Sequence, residues 1–405
     1  MGHPTDSTPT APFADRLVSL DAYRGFIMLA MVSAGLGTAK LRGDAQWGWL
    51  AHQLDHVKWE GCVFWDLIQP AFMFMVGVAM PLAFAKRVAR GESWAHQFGH
   101  VVRRCLLLIL IGIVMDSFGQ ERPAVQFIRV LQQIAIGYFL AFFVLHLGPK
   151  MQALTALLLL VAHTAAFLWY GGIGTDGPWQ RDANVGTAID QSIHAFFVSM
   201  GLPSVWPPSS GGNALGVLCV AGTGAAPSIW PPSGGGYVVI NAISSTATIL
   251  FGVLAGELIR GRLTPGAKAL VLSVCGMGGI LAGLALENWV PMVKRIWTAT
   301  FAIYAAGWTA LFMAFFYVVI DILRCRRWSW PLVVVGVNSI FIYFCSGVLT
   351  GTVRSLLKPF TNEPFQRLLG SDYERWVPVV MAVLVTFVLW LLCAWLYRRR
   401  IFFKV

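Results

Sequence analysis

The chain has 405 residues, 57% of them hydrophobic and only 12% charged, with a mean hydropathy of +0.67. A soluble domain carries about a quarter charged residues, so the composition excludes an ordinary soluble globule and implies an integral membrane protein. The net charge of +11 does not imply a nucleic-acid partner, because Lys and Arg collect at the ends of apolar runs, where membrane-orientation signals belong.

Residues 1–15 (MGHPTDSTPTAPFAD) are polar and Pro/Thr-rich, without the charged start and apolar core of a signal peptide, so a disordered cytoplasmic tail is expected. Residues 16–405 are expected to form one all-α transmembrane domain. A helix needs ~20 mainly apolar residues to cross the hydrocarbon core. On that rule about ten spans follow, near 20–40, 62–85, 103–119, 127–147, 151–171, 237–259, 267–287, 296–322, 331–353 and 377–397. Pro149 and Lys150 make spans four and five a tight hairpin. One set of connections holds Lys86, Arg87, Arg90, Lys150, Arg260, Arg262, Arg324, Arg326 and Arg327, is joined by Arg398–Arg400, and has almost no acids. The opposite set mixes bases with acids. Short basic loops face the cytoplasm, which puts both termini inside and the loop containing His56 outside. The segment 172–236, also outside, carries the near-copies SVWPPSSGG (204–212) and SIWPPSGGG (228–236). Pro and Gly at that density prevent helix or strand, and the Trp-Pro pairs suit an interfacial or sugar-contacting loop or a plain connector at the headgroups.

Seven cysteines are scattered without a CxxC or a His/Cys cluster, so neither a metal site nor a disulfide framework is indicated. No Walker loop, Rossmann fingerprint, GxSxG elbow or HExxH occurs. Ionisable groups within spans are costly and mark candidate sites. Asp21 and Arg24 lie three apart on one face at the start of span one, either as a local ion pair or with Arg24 meeting a phosphate-bearing ligand. Asp66 sits early in span two, ten residues after His56. It is either a structural acceptor or the carboxylate that orients a catalytic imidazole. Among eight histidines, His56 stands out, with Asp55, Trp59 and Glu60 crowded around it at the bilayer rim, a setting that tunes a base toward neutral pH. Gln132, Asn241 and Asn338 within apolar spans either line a polar path or bond between helices.

Seven blocks occur in order: RLVSLDAYRGFIMLAMV, HVKWEGCVFWDLIQPAFMFMVGVAMPL, FIRVLQQIAIGYFLA, GPWQRDANVGTAID, INAISSTATILFGVLAGELI, VKRIWTATFAIYAAGWTALF and VVGVNSIFIYF. In these the chain resembles the heparan-α-glucosaminide N-acetyltransferase family of transmembrane acyltransferases, including its bacterial members. The resemblance implies acetyl-CoA as cytoplasmic donor, an amino sugar or glycan as extracytoplasmic acceptor, no metal, a homodimer and, here, a bacterial inner membrane. It carries the catalytic role to His56 of His56-Val57-Lys58-Trp59-Glu60-Gly61, and matches Asp66 and Asn338 to the acid and asparagine of later phrases. Asp21, Arg24, Trp59, Glu60, Gln132, Asn241 and Asn338 are the expected binding residues. The chain departs from the family at Gly35, where an Asn is common, and in the longer, Trp-rich segment QWGWLAHQLD before His56.

The expected activity is transfer of an acetyl group across the bilayer, with His56 as base or acyl-accepting nucleophile. A secondary transporter or flippase of a sugar or lipid intermediate, with Asp66 and Asp21 as proton-linked acids, is the alternative.

Overall fold

A computed structural model describes residues 17–119, 127–171, 177–199 and 236–403, and among these it is helical with no strand. The tail 1–15 and the two Trp-Pro-Pro phrases, apart from Gly236, lie outside the described residues. The helices are α1 (Val18–Val32), α2 (Gly48–Gln53), α3 (Ile68–Ala89), α4 (Trp94–Ser117), α5 (Val130–Leu145), α6 (Pro149–Tyr170), α7 (Val185–Ser199), α8 (Asn241–Arg260), α9 (Pro265–Leu286), α10 (Ala299–Phe316), α11 (Trp330–Gly336), α12 (Ser339–Leu369) and α13 (Tyr373–Arg398).

In lipid, helices gain little from hiding apolar surface from one another, so close packing of small residues draws them together. α3 and α8 form the centre on that basis and run parallel. A Cβ at Gly77 would stand 2.0 Å from the Ile249 carbonyl oxygen, and one at Gly252 would stand 2.0 Å from that of Phe74. α9 and α10 pair antiparallel through Gly276, Gly279 and Gly283 against Gly307 and Tyr304. The outer helices are apolar on two faces. On α9, Ala269, Leu272, Gly276, Ile280 and Gly283 are buried, while Leu270, Val274, Met277, Leu281 and Leu284 point outward. A helix that presents Leu and Val to its surroundings at helical spacing is dressed for lipid.

Among the described residues seven helices are long and apolar enough to cross a membrane, or eight if the bent pair Val18–Val32 and Ala34–Leu41 counts as one. One of the seven, Ser339–Arg398, folds back on itself. The Asn338 side-chain amide donates to the Ile401 carbonyl (3.2 Å), and its oxygen accepts from the Phe403 N–H (3.0 Å), so the start of α12 meets the end of α13. Helix directions alternate, so Lys86, Arg87, Arg260, Arg262 and Arg398 share the end of the bundle opposite His56.

The structure departs from the expected spans at four places. Span one breaks after Val32, because Ala34, Gly35, Leu36 and Gly37 all take left-handed backbone angles (φ 47°, 66°, 51° and 65°), and the chain bends by 44°. Span three starts earlier, at Trp94, where the Ser93 hydroxyl accepts from the His96 N–H and caps the helix. The outer segment is not without helix: Val185–Ser199, which has no proline, forms α7. Span nine divides into α11 and α12, and α12 runs on to Leu369.

Candidate active site

The loop before α3 and the loop before α10 meet at one end of the bundle. Gly61 ties them together, its N–H donating to the Met292 carbonyl (2.8 Å). Its φ of +103° lies where a side chain is strained, which explains a glycine at this crossing. Trp59 braces the first loop from the side, its indole N–H donating to the Trp179 carbonyl (3.0 Å). Thr298 shapes the second loop. Its hydroxyl accepts from Val293 N–H (3.0 Å) and caps α10 at Phe301 N–H (3.4 Å). The Asn241 amide holds the same loop by donating to the Arg295 carbonyl (2.6 Å).

Three side chains converge between these loops. Asp66 Oδ1 lies 2.7 Å from His56 Nδ1 and 3.3 Å from Lys294 Nζ, and Lys294 Nζ is also 3.3 Å from His56 Nδ1. Asp66 Oδ2 accepts from the Val57 and Val63 N–H groups (3.4 Å each). Asp66 and Lys294 are buried, at 1% and 6% side-chain exposure, whereas the His56 ring is 40% exposed. A carboxylate only accepts and an ammonium only donates, so both the Nδ1 proton and a Lys294 proton point at Asp66. The imidazole then carries its proton on Nδ1 and keeps the Nε2 lone pair for a reactant. Burial holds His56 below the ordinary histidine pKa; the bond to Asp66 opposes this, and the Lys294 and Arg295 charges reinforce it.

His56 and Lys294 open on a cavity of about 250 Å³ that is also lined by Met31, Trp65, Gln69, Ile128, Arg129 and Tyr237. From it a narrow apolar crevice runs inward past Met28, Phe72, Ile340 and Tyr343, sharing Met31, Ile68, Gln69 and Val130 with the cavity. Arg129 is paired with Asp116 (3.3 Å), and Gln69 donates to Gln133 (2.8 Å). The site therefore offers a neutral base at the mouth of a cavity bordered by two cations.

The expected residues separate into groups. His56 and Asp66 come together. Asn241 touches the loop that carries Lys294. Trp59 turns away toward Trp179, and Glu60 is exposed. Gln132 is buried in the first turn of α5, donating to Asp116 (3.3 Å). Asp21 and Arg24 pair at 3.6 Å toward the opposite end of α1, and Asn338 holds the C-terminal segment. The polar span residues do not form one continuous lining. Lys294 was not among the expected residues. Its signal in the sequence is only a Lys-Arg pair in the short connection 287–298 between two long spans.

A family model described as a domain of unknown function, DUF5009, matches residues 16–173, which include His56 and Asp66. The chain is 23% identical to the heparan-alpha-glucosaminide N-acetyltransferase of Homo sapiens over 440 residues, covering 96% of this chain and 60% of that protein. It is likewise 23% identical to the Mus musculus enzyme of the same name over 442 residues, covering 97% of this chain and 61% of that protein. The chain thus spans about three fifths of the length of these curated relatives, and the similarity shows a distant relationship to a membrane N-acetyltransferase.

Proposed function

We propose that the protein is a transmembrane acyltransferase that moves an acetyl group from acetyl-CoA to the amine of an extracytoplasmic sugar or glycan, with His56 as the general base. The observation that carries this reading is the buried Asp66–Lys294 pair fixing the His56 imidazole at the mouth of the cavity. The distant relationship to heparan-alpha-glucosaminide N-acetyltransferases supports the reaction class. Nε2 of His56 takes a proton from the amine as its nitrogen attacks the thioester carbonyl. The C–N bond forms, the C–S bond breaks, and the imidazolium returns its proton to the departing thiolate. Asp66 keeps the ring oriented and stabilises the transient imidazolium.

The reading takes ten passes: the seven long helices, the bent α1, the shorter α5, and α12 and α13 counted separately. The basic connections face the cytoplasm by the positive-inside rule, which leaves His56 outside, in the inner membrane of a bacterium. The apolar crevice below His56 suits the arm of a donor reaching the site from within the bundle.

The test supplies purified protein with radiolabelled acetyl-CoA and glucosamine and compares it with His56→Ala. Wild type transfers label, and the variant loses about 10²–10⁴-fold in rate, the usual contribution of a positioned base. Equal transfer by both removes His56 from the mechanism. Glucosamine uptake into proteoliposomes without any need for acyl-CoA replaces the reading with a transporter.

A further inference from the structure

A second cavity, of about 380 Å³, lies far from His56. α8 and α9 are consecutive helices joined by the short turn Gly261–Thr264, yet each packs on a different neighbour. α8 is held to α3 by Gly252 and Gly256, and α9 to α10 by Gly276, Gly279 and Gly283. The two helices therefore diverge from their turn and leave a wedge. Its walls are almost wholly apolar and include Phe74, Leu254, Leu258, Leu272, Cys275 and Ala306. It opens sideways, where Val271 and Cys275 are exposed.

The closed end of the wedge adjoins the basic end of the bundle. Lys268, Leu272, Cys275 and Gly279 recur at helical spacing, which puts Lys268 on the face of α9 that lines the wedge, one turn beyond it. Arg262 sits in the turn itself and is exposed. The nearby acid is already engaged, since Glu257 pairs with Arg260 (2.8 Å). An apolar slot between two membrane helices, with two cations at its headgroup end, matches a molecule with hydrocarbon chains and an anionic head.

We propose that the α8–α9 wedge is a binding site for one anionic glycerophospholipid, with an acyl chain between the helices and its phosphate against Lys268 and Arg262. The site is independent of the acyl-transfer reaction. The bound chain fills space that packing leaves empty and fixes the angle between the α3–α8 and α9–α10 pairs.

Native mass spectrometry of delipidated full-length protein, titrated with phosphatidylglycerol or phosphatidylcholine, tests this. Wild type is expected to hold one phosphatidylglycerol about thirtyfold more tightly than phosphatidylcholine, the scale two basic side chains supply near a charged lipid head. Lys268→Glu combined with Arg262→Glu is expected to erase the preference, and Cys275→Trp to remove the tight site by filling the slot. Cys275→Ala should retain it. A readout on the unaltered chain is the alkylation rate of Cys275 by a maleimide, resolved by peptide, which phosphatidylglycerol should slow and phosphatidylcholine should not. Equal binding of the two lipids by wild type, or equal alkylation with either, overturns the proposal and leaves only a general lipid belt.

Discussion

Lys294 Nζ stands 3.3 Å from Asp66 Oδ1, the same oxygen that accepts from His56 Nδ1 at 2.7 Å. A lone carboxylate beside an imidazole favours imidazolium and raises its pKa. Here burial first, and then the Lys294 ammonium, outweigh that pull, so His56 is held below its ordinary value and its ring is neutral at physiological pH. The other charged groups near His56 are Arg295 on the same loop, Asp55, which pairs with Arg42, Arg129 across the cavity, and Lys58 and Glu60 in its own loop. With His56 as the proposed general base, activity is expected to require the neutral ring, so it should be present above the His56 pKa and fall as pH drops through it. Lys294→Met removes the offset and should move the acidic limb of kcat/KM upward by about one pH unit, with activity recovered at alkaline pH. Lys294→Arg should leave the limb in place. A loss equal at every pH would instead mean that Lys294 only shapes the loop.

Asp66→Asn should cost stability as well as activity. Breaking a buried ion pair leaves one charge uncompensated, typically at about 3–5 kcal/mol, and Asp66 and Lys294 are both buried. Adding Lys294→Met to Asp66→Asn removes the stranded ammonium, so the double variant should recover most of the lost melting temperature in detergent. A double variant no more stable than Asp66→Asn would show that the pair adds nothing to the fold.

The α3–α8 contact sets a sterically sharp case. Gly252→Ala drives a methyl toward the Phe74 carbonyl, with no side chain that can swing aside, so a loss of about 1–3 kcal/mol is expected from overpacking. Gly278→Ala on α9 meets nothing within 4 Å and should be neutral or gain about 0.5–1 kcal/mol from reduced chain freedom. Thermal unfolding of the two single variants reads the contrast.

Which parts of this architecture were legible in the chain follows from the range of the forces involved. Spans are local sums of apolar residues, so α3, α4, α6, α8, α9 and α10 fall where hydropathy places them, apart from their ends. Ends depend on single backbone events that an average over twenty residues hides: the left-handed run at Ala34–Gly37, the Ser93 cap, the break at Asn338. His56 and Asp66 are ten residues apart in one segment, so their spacing alone admits an approach. Lys294 lies 238 residues from His56. It reaches the site only because Thr298, Asn241 and Gly61 fold and hold its loop, and no periodicity announces that.

Asp190 gives a prediction outside the bundle. It is buried on α7, accepts only from the Val239 N–H (3.2 Å) among its described hydrogen bonds, and is pushed up to about 7 by burial. A carboxyl whose folded pKa is raised holds its proton more tightly folded than unfolded. Its stabilising contribution is therefore complete below the unfolded value, near 4, and is lost as pH rises through about 7. Amide exchange in Val185–Ser199 should accelerate between mildly acidic and mildly alkaline pH by more than the intrinsic rate does, and Asp190→Asn should flatten that excess. An unchanged excess in the variant would assign it to another group.

The left-handed run after α1 has a mechanical consequence. Gly35 lies so close to Leu54 that a Cβ would be 2.4 Å from its carbonyl oxygen, and Gly37 stands likewise 2.3 Å from that of Pro378 on α13. One short piece of main chain is thus gripped from both sides, by the loop two residues ahead of His56 and by the last long helix. Main chain touching main chain has no rotamers with which to absorb a displacement. The bend that ends the first span is therefore a main-chain bridge, with the backbone of α13 on one side of it and the loop leading to His56 on the other.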